Sequence, residues 1–423
     1  MGEAVIVLVS SLIPHPFTTV LHRSHLITAL EQRREDFTDF ARAWDDDVRG
    51  LARSLRSLSA RGAEAIRREV GAPARRVSFP SAELDERRSF TIGFDRRWRT
   101  HEEARRWALD VLSERVTFAA DGSQIMPGRE ISLPVAGVQV AWFENPHTGE
   151  GTYTKDARFF VVTPKELLQA EGGAANPGPV VNARRTKIEV DCVCDFLERV
   201  RGWESRGERA PLAFFDGTFL LSSARQHTEN LFFSSYAREV ARLVRVSREM
   251  RVPVVGYIDQ SYARDITTLI EALGGGAKES GVYDAQLLRS GAEDDSPQLG
   301  AWGDRTVFTY CLRDGLTGDF YGDDGEPLVG FVYLQTTGEG MPARLDVPAW
   351  VYDAGLMNEV LDVVRAECVV GNGYPYAIEA ADAAAVITSR DREQFLRVMQ
   401  EFAERERFGF SVSRKAVSKL HRR

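Results

Sequence analysis

The chain is poor in cysteine and in long apolar runs. Its four cysteines among 423 residues show neither the spacing of a zinc site nor a disulfide framework, which favours the cytoplasm. The one membrane-like stretch, residues 4–13, has no basic flank before it and runs into Pro14. We interpret it as a buried strand or a wrongly assigned start site, and we expect no membrane contact.

The chain also lacks the positive charge that would let it coat DNA by itself. Its formal net charge is −8, whereas counterion release requires clustered cations that face phosphates. Any contact with DNA must therefore be local or assisted by another protein. Nearly all of the basic residues are arginine, which suits bidentate phosphate contacts, although codon bias explains this skew as easily.

A composition of 43% hydrophobic and 27% charged residues is typical of a folded protein. The length suits one catalytic body with appendages. Apolar residues from about 25 to 70 recur at helical spacing, which predicts one or two long amphipathic helices. We expect an N-terminal helical region with possible partner or dimer contacts at residues 1–115, a core domain at 116–395, and a C-terminal helix with a basic tail at 396–423.

Strand-like and helix-like segments follow one another in the core region. Residues 116–120, 132–143 and 157–162 predict the first meander of a sheet, and residues 184–200 predict a helix with one apolar stripe. Alternation then implies parallel pairing and an α/β fold. The later predicted strands are 211–215, 252–258, 307–311 and 330–334, and the later predicted helices are 231–250, 261–273, 353–368 and 376–387.

Two predicted strands each end in an aspartate followed by a glycine, at Asp121-Gly122 and at Asp216-Gly217. Reactive groups gather where strands meet loops, and a glycine there lets a phosphate or a metal approach the backbone. Hard cations such as Mg²⁺ and Mn²⁺ take carboxylate oxygens, and phosphodiester cleavage needs several of them to converge. One such dipeptide is usually only a turn. Glu189 on the intervening helix adds a third carboxylate. With it, the interpretation of the two dipeptides as turns and their interpretation as a metal site are about equally well supported.

Short motifs over residues 116–390 occur in an order that resembles the NurA nucleases. No single motif is specific, and the ordered set carries the resemblance. The motifs are Asp121-Gly122-Ser123, Arg185 with Glu189, Phe214-Phe215-Asp216-Gly217-Thr218, Gly256-Tyr257-Ile258-Asp259, Asp284 with Leu287-Leu288, Gly303-Asp304-Arg305-Thr306 with Phe308, Arg344-Leu345-Asp346-Val347-Pro348, and Tyr374-Pro375.

The resemblance implies an RNase H-like fold, that is, a mixed sheet flanked by helices. It also implies a DNA exonuclease and single-strand endonuclease that uses Mn²⁺ or Mg²⁺. The implied partner is a hexameric HerA-type ATP-driven translocase in DNA end resection, for repair or defence, and we expect a homodimer. Position by position, the family's metal ligands match Asp121, Glu189 and Asp216, and its active-site tyrosine matches Tyr374. Arg185 is expected to contact DNA, the alternative being a stem that only covers a helix face.

The chain departs from the family at the last motif. The family usually has an Ala-His pair there, whereas here Ala381 precedes Asp382, and none of the seven histidines lies inside this motif. A carboxylate ligates a divalent ion as an imidazole does and favours harder ions, so we expect Asp382 to complete the catalytic metal set. The alternative is a decayed site in a catalytically weakened platform that docks on or regulates the translocase.

Four other residues have competing interpretations. Asp259 is either a further ligand or the cap of the helix after Ser261. We expect Asp346 to be structural, and core or dimer packing is favoured over base stacking for Trp302 and Trp350. Actin-like ATPases and sugar kinases also use Asp-Gly-Thr loops, but they need two such loops in duplicated domains, and the sequence shows no duplication.

Overall fold

The computed structural model describes residues 22–71, 76–128, 131–169, 176–221, 231–274, 280–290, 297–313 and 318–413. The chain divides into two units, Met1–Asp47 and Val48–Arg423. The apolar run at residues 4–13 lies outside the described residues, so its interpretation as a strand stays a prediction. No helix in the described ranges is long and apolar enough to cross a membrane.

The first unit is helical, as the apolar spacing predicts. Helix α1 (Arg23–Gln32) buries none of its residues, and α2 (Arg34–Ser59) begins in this unit and ends in the second. Leu30, Phe37 and Phe40 are exposed, and the Phe40 ring stacks on Trp44 with centroids 5.6 Å apart. The unit thus presents apolar side chains to solvent.

In its described residues, the second unit is built on one sheet of eleven strands. The strands are β1 (Phe79–Pro80), β2 (Thr91–Ile92), β3 (Thr117–Ile125), β4 (Ala136–Asn145), β5 (Thr154–Val162), β6 (Leu212–Asp216), β7 (Val254–Ile258), β8 (Arg305–Thr306), β9 (Thr309–Tyr310), β10 (Val329–Leu334) and β11 (Ala343–Pro348). The main strand order is β1-β9-β10-β11-β7-β6-β3-β4-β5, while β8 pairs with β2 and β10.

The central strands have the expected RNase H-like arrangement. Strands β3, β4 and β5 form an antiparallel meander, and β6 and β7 are added in parallel on the other side of β3. The parallel strands are covered on both faces, which is why β6 is apolar until its last residue. The predicted α/β class, a mixed sheet flanked by helices, is confirmed.

Two groups of helices cover opposite faces of this sheet, as the alternation of side chains along β3 shows. Phe118 stacks on Phe196 of the long helix α7, with centroids 4.5 Å apart. Ala119, the next residue on β3, points to the other face and is paired with Phe143 of β4. On that face Phe143 contacts Tyr376 of α13. The remaining helices are α3 (Ala63–Val70), α4 (Glu83–Arg87), α5 (His101–Leu112), α6 (Pro164–Gln169), α7 (Gly178–Val200), α8 (Leu231–Met250), α9 (Asp265–Leu273), α10 (Asp284–Arg289), α11 (Ala349–Asp353), α12 (Met357–Val370), α13 (Tyr376–Ala385) and α14 (Ser389–Arg405).

Several predicted element bounds were wrong. The first strand does not stop at Ala120: β3 loses its partner β6 there but stays paired with β4 as far as Ile125. The predicted strand at 307–311 holds only the two-residue β9, and β8 lies before it; β10 pairs with each of the two separately. The predicted helix at 353–368 begins only at Met357, after the short α11.

Candidate metal centre

Asp121 and Asp216 stand side by side where the parallel pairing of β3 and β6 stops. The last paired residues are Ala120 and Phe215, so the next residue on each strand is the aspartate. Neighbouring strands are about 4.8 Å apart, and residues in register point to the same face. Burial raises the pKa of Asp121 to about 6, and the nearby carboxylates of Asp216 and Asp382 add to this rise. The two strands therefore bring like charges together.

Glu189 reaches this pair from the opposite face of the sheet, across Gly122. A Cβ on Gly122 would lie 2.5 Å from Glu189 Oε1 and 2.8 Å from Arg185 Cγ, so a side chain there would displace both residues. We expected this glycine to admit a phosphate or a metal, but two side chains of α7 fill the space. The glycine therefore serves to let a buried glutamate approach the strand.

Glu189 is buried without a full set of partners. Its Oε1 has no hydrogen bond, although Arg185 Nε lies 3.4 Å away without hydrogen-bond geometry. Burial raises the pKa of Glu189 to about 7; Arg185 opposes this rise, and Asp121 and Asp216 reinforce it. A buried carboxylate oxygen that lacks a donor is costly unless a cation compensates it.

Arg185 lies in the same place but is held by the protein. Its Nη1 donates to the carbonyl oxygen of Gly122 at 3.0 Å, while its buried Nε has no hydrogen-bond partner. The side chain keeps about a third of its surface exposed. The guanidinium therefore partly neutralises Glu189 and still faces solvent, where a phosphate could meet it.

Tyr374 approaches Asp216 from the segment before α13. Its hydroxyl donates to Asp216 Oδ1 at 3.3 Å, and its ring packs edge-on against Tyr257 with centroids 5.0 Å apart. Burial and the nearby Asp216 raise the pKa of Tyr374 well above its ordinary value, so the phenol stays protonated. Burial likewise raises the pKa of Asp216, against the effect of the Tyr374 hydrogen bond, and Asp382 adds to the rise.

Asp382 and Asp259 complete the acidic surroundings. Asp382 is exposed on α13 and acts electrostatically on both Asp121 and Asp216. Asp259 follows β7 and raises the pKa values of Asp216 and Tyr374. It does not cap the next helix, because α9 begins at Asp265 with Arg264 at its N-cap position. We call Asp121, Glu189, Asp216 and Asp382 the acidic cleft.

A hard divalent cation fits the chemistry of the acidic cleft. Its donors are carboxylate oxygens, one of them buried without a hydrogen bond, and a cation would offset their mutual repulsion. Over the residues that the structure describes, no group of three or more His, Cys, Asp or Glu side chains is arranged so that it could hold a metal ion as it stands. Binding therefore requires the carboxylates to move toward one another, above all Glu189, whose Oε1 lies 3.4 Å from Arg185 Nε.

Several residues around the cleft were not predicted as part of it. Tyr236 donates its hydroxyl to the carbonyl oxygen of Thr218, and the fully buried Tyr257 supports Tyr374. Tyr236 had only the signal of an apolar core position, and Tyr257 lay in the Gly256-Tyr257-Ile258-Asp259 motif with no role assigned to it. Asp346 is buried and bonded to Arg344, as expected for a structural residue, and Trp302 and Trp350 pack in the core.

The strand order and the acidic cleft at the end of the parallel pairing define an RNase H-like protein with a carboxylate site. A sequence profile of the NurA domain matches residues 115–387. Because this match spans more than half of the chain, the protein belongs to the NurA family. A search among curated protein sequences found no match.

The solved structures most worth comparing are distant. A crystal structure of NurA with manganese is 10% identical, with a TM-score of 0.39 over 68% of this chain and 90% of that chain. A crystal structure of NurA bound to dAMP and manganese is 10% identical, with a TM-score of 0.33 over 68% and 88%. The catalytic domain of human Endonuclease V is 14% identical, with a TM-score of 0.31 over 74% and 92%.

Proposed function

We propose that this protein is a deoxyribonuclease that depends on Mn²⁺ or Mg²⁺. The observation that carries the proposal is the acidic cleft, in which one arginine acts on three of the four carboxylates and a buried oxygen of Glu189 has no hydrogen bond. Family membership supports it, and other NurA proteins have been crystallised with manganese and with dAMP. Carboxylates that repel one another are suited to bind a divalent cation, because the cation offsets their charge.

In this proposal Asp121, Glu189, Asp216 and Asp382 hold the cation. Once bound, a divalent cation neutralises charge on the phosphodiester and makes water a stronger nucleophile. Arg185 contacts a phosphate oxygen through the part of its guanidinium that remains exposed. Tyr374, kept protonated, donates to Asp216 in the free protein and, once the cation holds Asp216, donates instead to the scissile phosphate or to the nucleotide.

The direct test is Asp216→Asn, assayed on labelled single-stranded and duplex DNA with Mn²⁺. We expect cleavage to fall by about 100-fold or more, the scale on which loss of one charge-stabilising group acts. Folding should be intact, since Asp216 is solvent-accessible at the end of its strand. Asp110→Asn, an exposed position on α5, is the matched control. Cleavage by Asp216→Asn at the wild-type rate would remove this residue from the mechanism.

We further propose that a HerA-type hexameric translocase delivers the DNA to a homodimer of this protein in the cytoplasm, in end processing or defence. The net charge of −8 supports assistance, because the chain has too little positive charge to hold DNA alone. The exposed apolar side chains of the first unit are the candidate contact. Deleting residues 1–47 should abolish co-purification with the translocase; unchanged binding would exclude this region.

A catalytically weakened platform for the translocase is the second candidate. The observation that favours it is Asp382 at the position of the family's usual histidine. DNA cleavage in Mn²⁺ with and without the translocase separates the two candidates. Activity in either mixture supports the nuclease, and inactivity in both, with the translocase still bound, supports the platform.

A further inference from the structure

The segment that follows Asp216, residues 217–220, is fixed by side chains from other elements. Tyr236 of α8 donates to the Thr218 carbonyl oxygen at 2.5 Å. Arg313 donates to the Leu220 carbonyl oxygen at 2.7 Å. Inside the segment, the Thr218 hydroxyl accepts from the Leu220 amide at 3.1 Å. Few groups in this segment are left to move freely.

Asp346 of β11 is at the centre of these contacts. Its Oδ2 accepts from the Thr218 hydroxyl at 2.6 Å and from the Phe219 amide at 2.9 Å. Its Oδ1 accepts from Nε of the buried Arg344 at 2.7 Å, and Arg344 Nη1 donates to Asp265 at 2.6 Å. A fully buried carboxylate with three donors has a fixed orientation, so it imposes that orientation on the segment.

The segment needs such support because of Gly217. This residue has φ +144°, a conformation that L side chains rarely adopt, and its amide bonds the Tyr257 carbonyl oxygen at 3.2 Å. Because glycine restricts the backbone least, Gly217 alone would leave the end of β6, and with it Asp216, free to change conformation. The bonds from Asp346 act two and three residues further on, where they remove that freedom.

We propose that Asp346 is a positioning residue of the metal site. Through Thr218 and Phe219 it holds the end of β6 so that Asp216 stays one strand spacing from Asp121. This inference rests on the proposed metal-dependent function. It adds that the buried ion pair with Arg344 serves the geometry of the cleft as well as the stability of the core.

The test removes the hydrogen bond between Thr218 and Asp346 by changing Thr218. Asp346 itself is kept, because Asp346→Asn would leave Arg344 without its ion-pair partner on β11 and could prevent folding. Thr218→Val has nearly the same shape but no hydroxyl, and Thr218→Ser keeps the hydroxyl. Thr309→Val is the control: Thr309 is buried, whereas Thr218 is half-buried, and the Thr309 hydroxyl donates to the Val307 carbonyl oxygen far along the chain from the cleft. Mn²⁺ binding is measured from the electron paramagnetic resonance signal of the free ion, with urea unfolding in parallel.

We expect Thr218→Val to bind Mn²⁺ about tenfold more weakly, the scale typical of losing a group that orients a ligand. Thr218→Ser and Thr309→Val should bind as the wild type does. Wild-type affinity in Thr218→Val would overturn the positioning role while leaving the metal site in place. If the wild type itself binds no Mn²⁺, the proposed metal-dependent function fails first, and this inference falls with it.

Discussion

Two groups of carboxylates in the second unit differ in how many arginines neutralise them. In the acidic cleft, Arg185 is the arginine that acts on Asp121, Glu189 and Asp216. In the interior, Asp265 accepts from both Arg313 and Arg344, and Arg344 also holds Asp346. We call this second group the interior ion network.

The pKa values of the two groups diverge accordingly. Burial alone would raise the pKa of Asp265, but Arg313 and Arg344 hold it well below its ordinary value. Burial raises the pKa of Glu189 to about 7, because one arginine does not outweigh burial and the neighbouring carboxylates. Equal burial therefore has opposite outcomes, and the number of cations decides between them. The interior ion network is complete within the chain, whereas the acidic cleft lacks positive charge.

The largest effect on stability should come from breaking the interior ion network. Asp265→Asn leaves Arg313 and Arg344 without their shared partner and should lower the free energy of unfolding by about 3–5 kcal/mol. Urea unfolding measures this loss. Asp39→Asn, which breaks an exposed pair with Arg42, is the control and should cost less than about 1 kcal/mol. Equal losses in the two variants would refute the contrast between buried and exposed charge.

In the acidic cleft, ionisation of a carboxylate should destabilise the folded protein, whereas ionised Asp265 stabilises it. The pKa of Glu189 is raised from 4.5 to about 7 on folding, so the metal-free wild type loses stability as the pH rises between these values. The loss corresponds to about 3 kcal/mol above pH 7. Glu189→Gln cannot ionise and should be more stable than the wild type by about this amount at pH 8, with no advantage at pH 4.

Thermal and urea unfolding in chelator across this pH range provide the measurement. Glu198→Gln, an exposed position on the same helix, is the control and should show no such dependence. A Glu189→Gln advantage that does not change with pH would contradict the assignment of the cost to the charged carboxylate.

A smaller effect should follow from filling the space beside Glu189. In Gly122→Ala the new Cβ would lie 2.5 Å from Glu189 Oε1, so the glutamate and Arg185 must shift. Overpacking of this kind costs about 1–3 kcal/mol. Mn²⁺ binding should weaken as well. Gly149→Ala is the control, because its Cβ would meet no atom within 4 Å. Unchanged stability and Mn²⁺ binding in Gly122→Ala would show that Glu189 does not need this approach.

The smallest expected effect concerns Asp382. Asp382→His restores the residue that the family usually has, and an imidazole suits softer ions than a carboxylate does. We expect the ratio of Mn²⁺-supported to Mg²⁺-supported cleavage to rise by about tenfold. Asp382→Asn, which removes the charge without adding an imidazole, is the control. An identical ratio in all three proteins would place Asp382 outside the metal site.

Much of the fold could be predicted because its pattern is local. The stripe of α7 and the apolar run of β6 are visible without knowledge of their neighbours. Strand β11 was missed because Arg344 and Asp346 resemble surface residues, whereas in the fold they neutralise each other in the interior. The continuation of β3 beyond Asp121 was missed because its pairing with β4 overrides the turn tendency of Asp-Gly.

The candidate site also has one part that could be predicted from the sequence and one part that depends on neighbours in the fold. That Asp121 and Asp216 would meet could be predicted, since they follow parallel strands. The route of Glu189 across Gly122 could not, because it depends on which face of β3 the helix covers. The roles of Asp121, Glu189, Asp216, Tyr374, Asp382 and Arg185 remain predictions.

A crystal structure of the protein soaked in Mn²⁺ tests the central claim most directly. The account predicts one or two ions in the acidic cleft, bound by oxygens of Asp121 and Asp216, with Glu189 turned away from Arg185 toward the metal. Anomalous scattering identifies the ions. An acidic cleft that stays empty at millimolar Mn²⁺, or an ion bound only at other carboxylates, would contradict it.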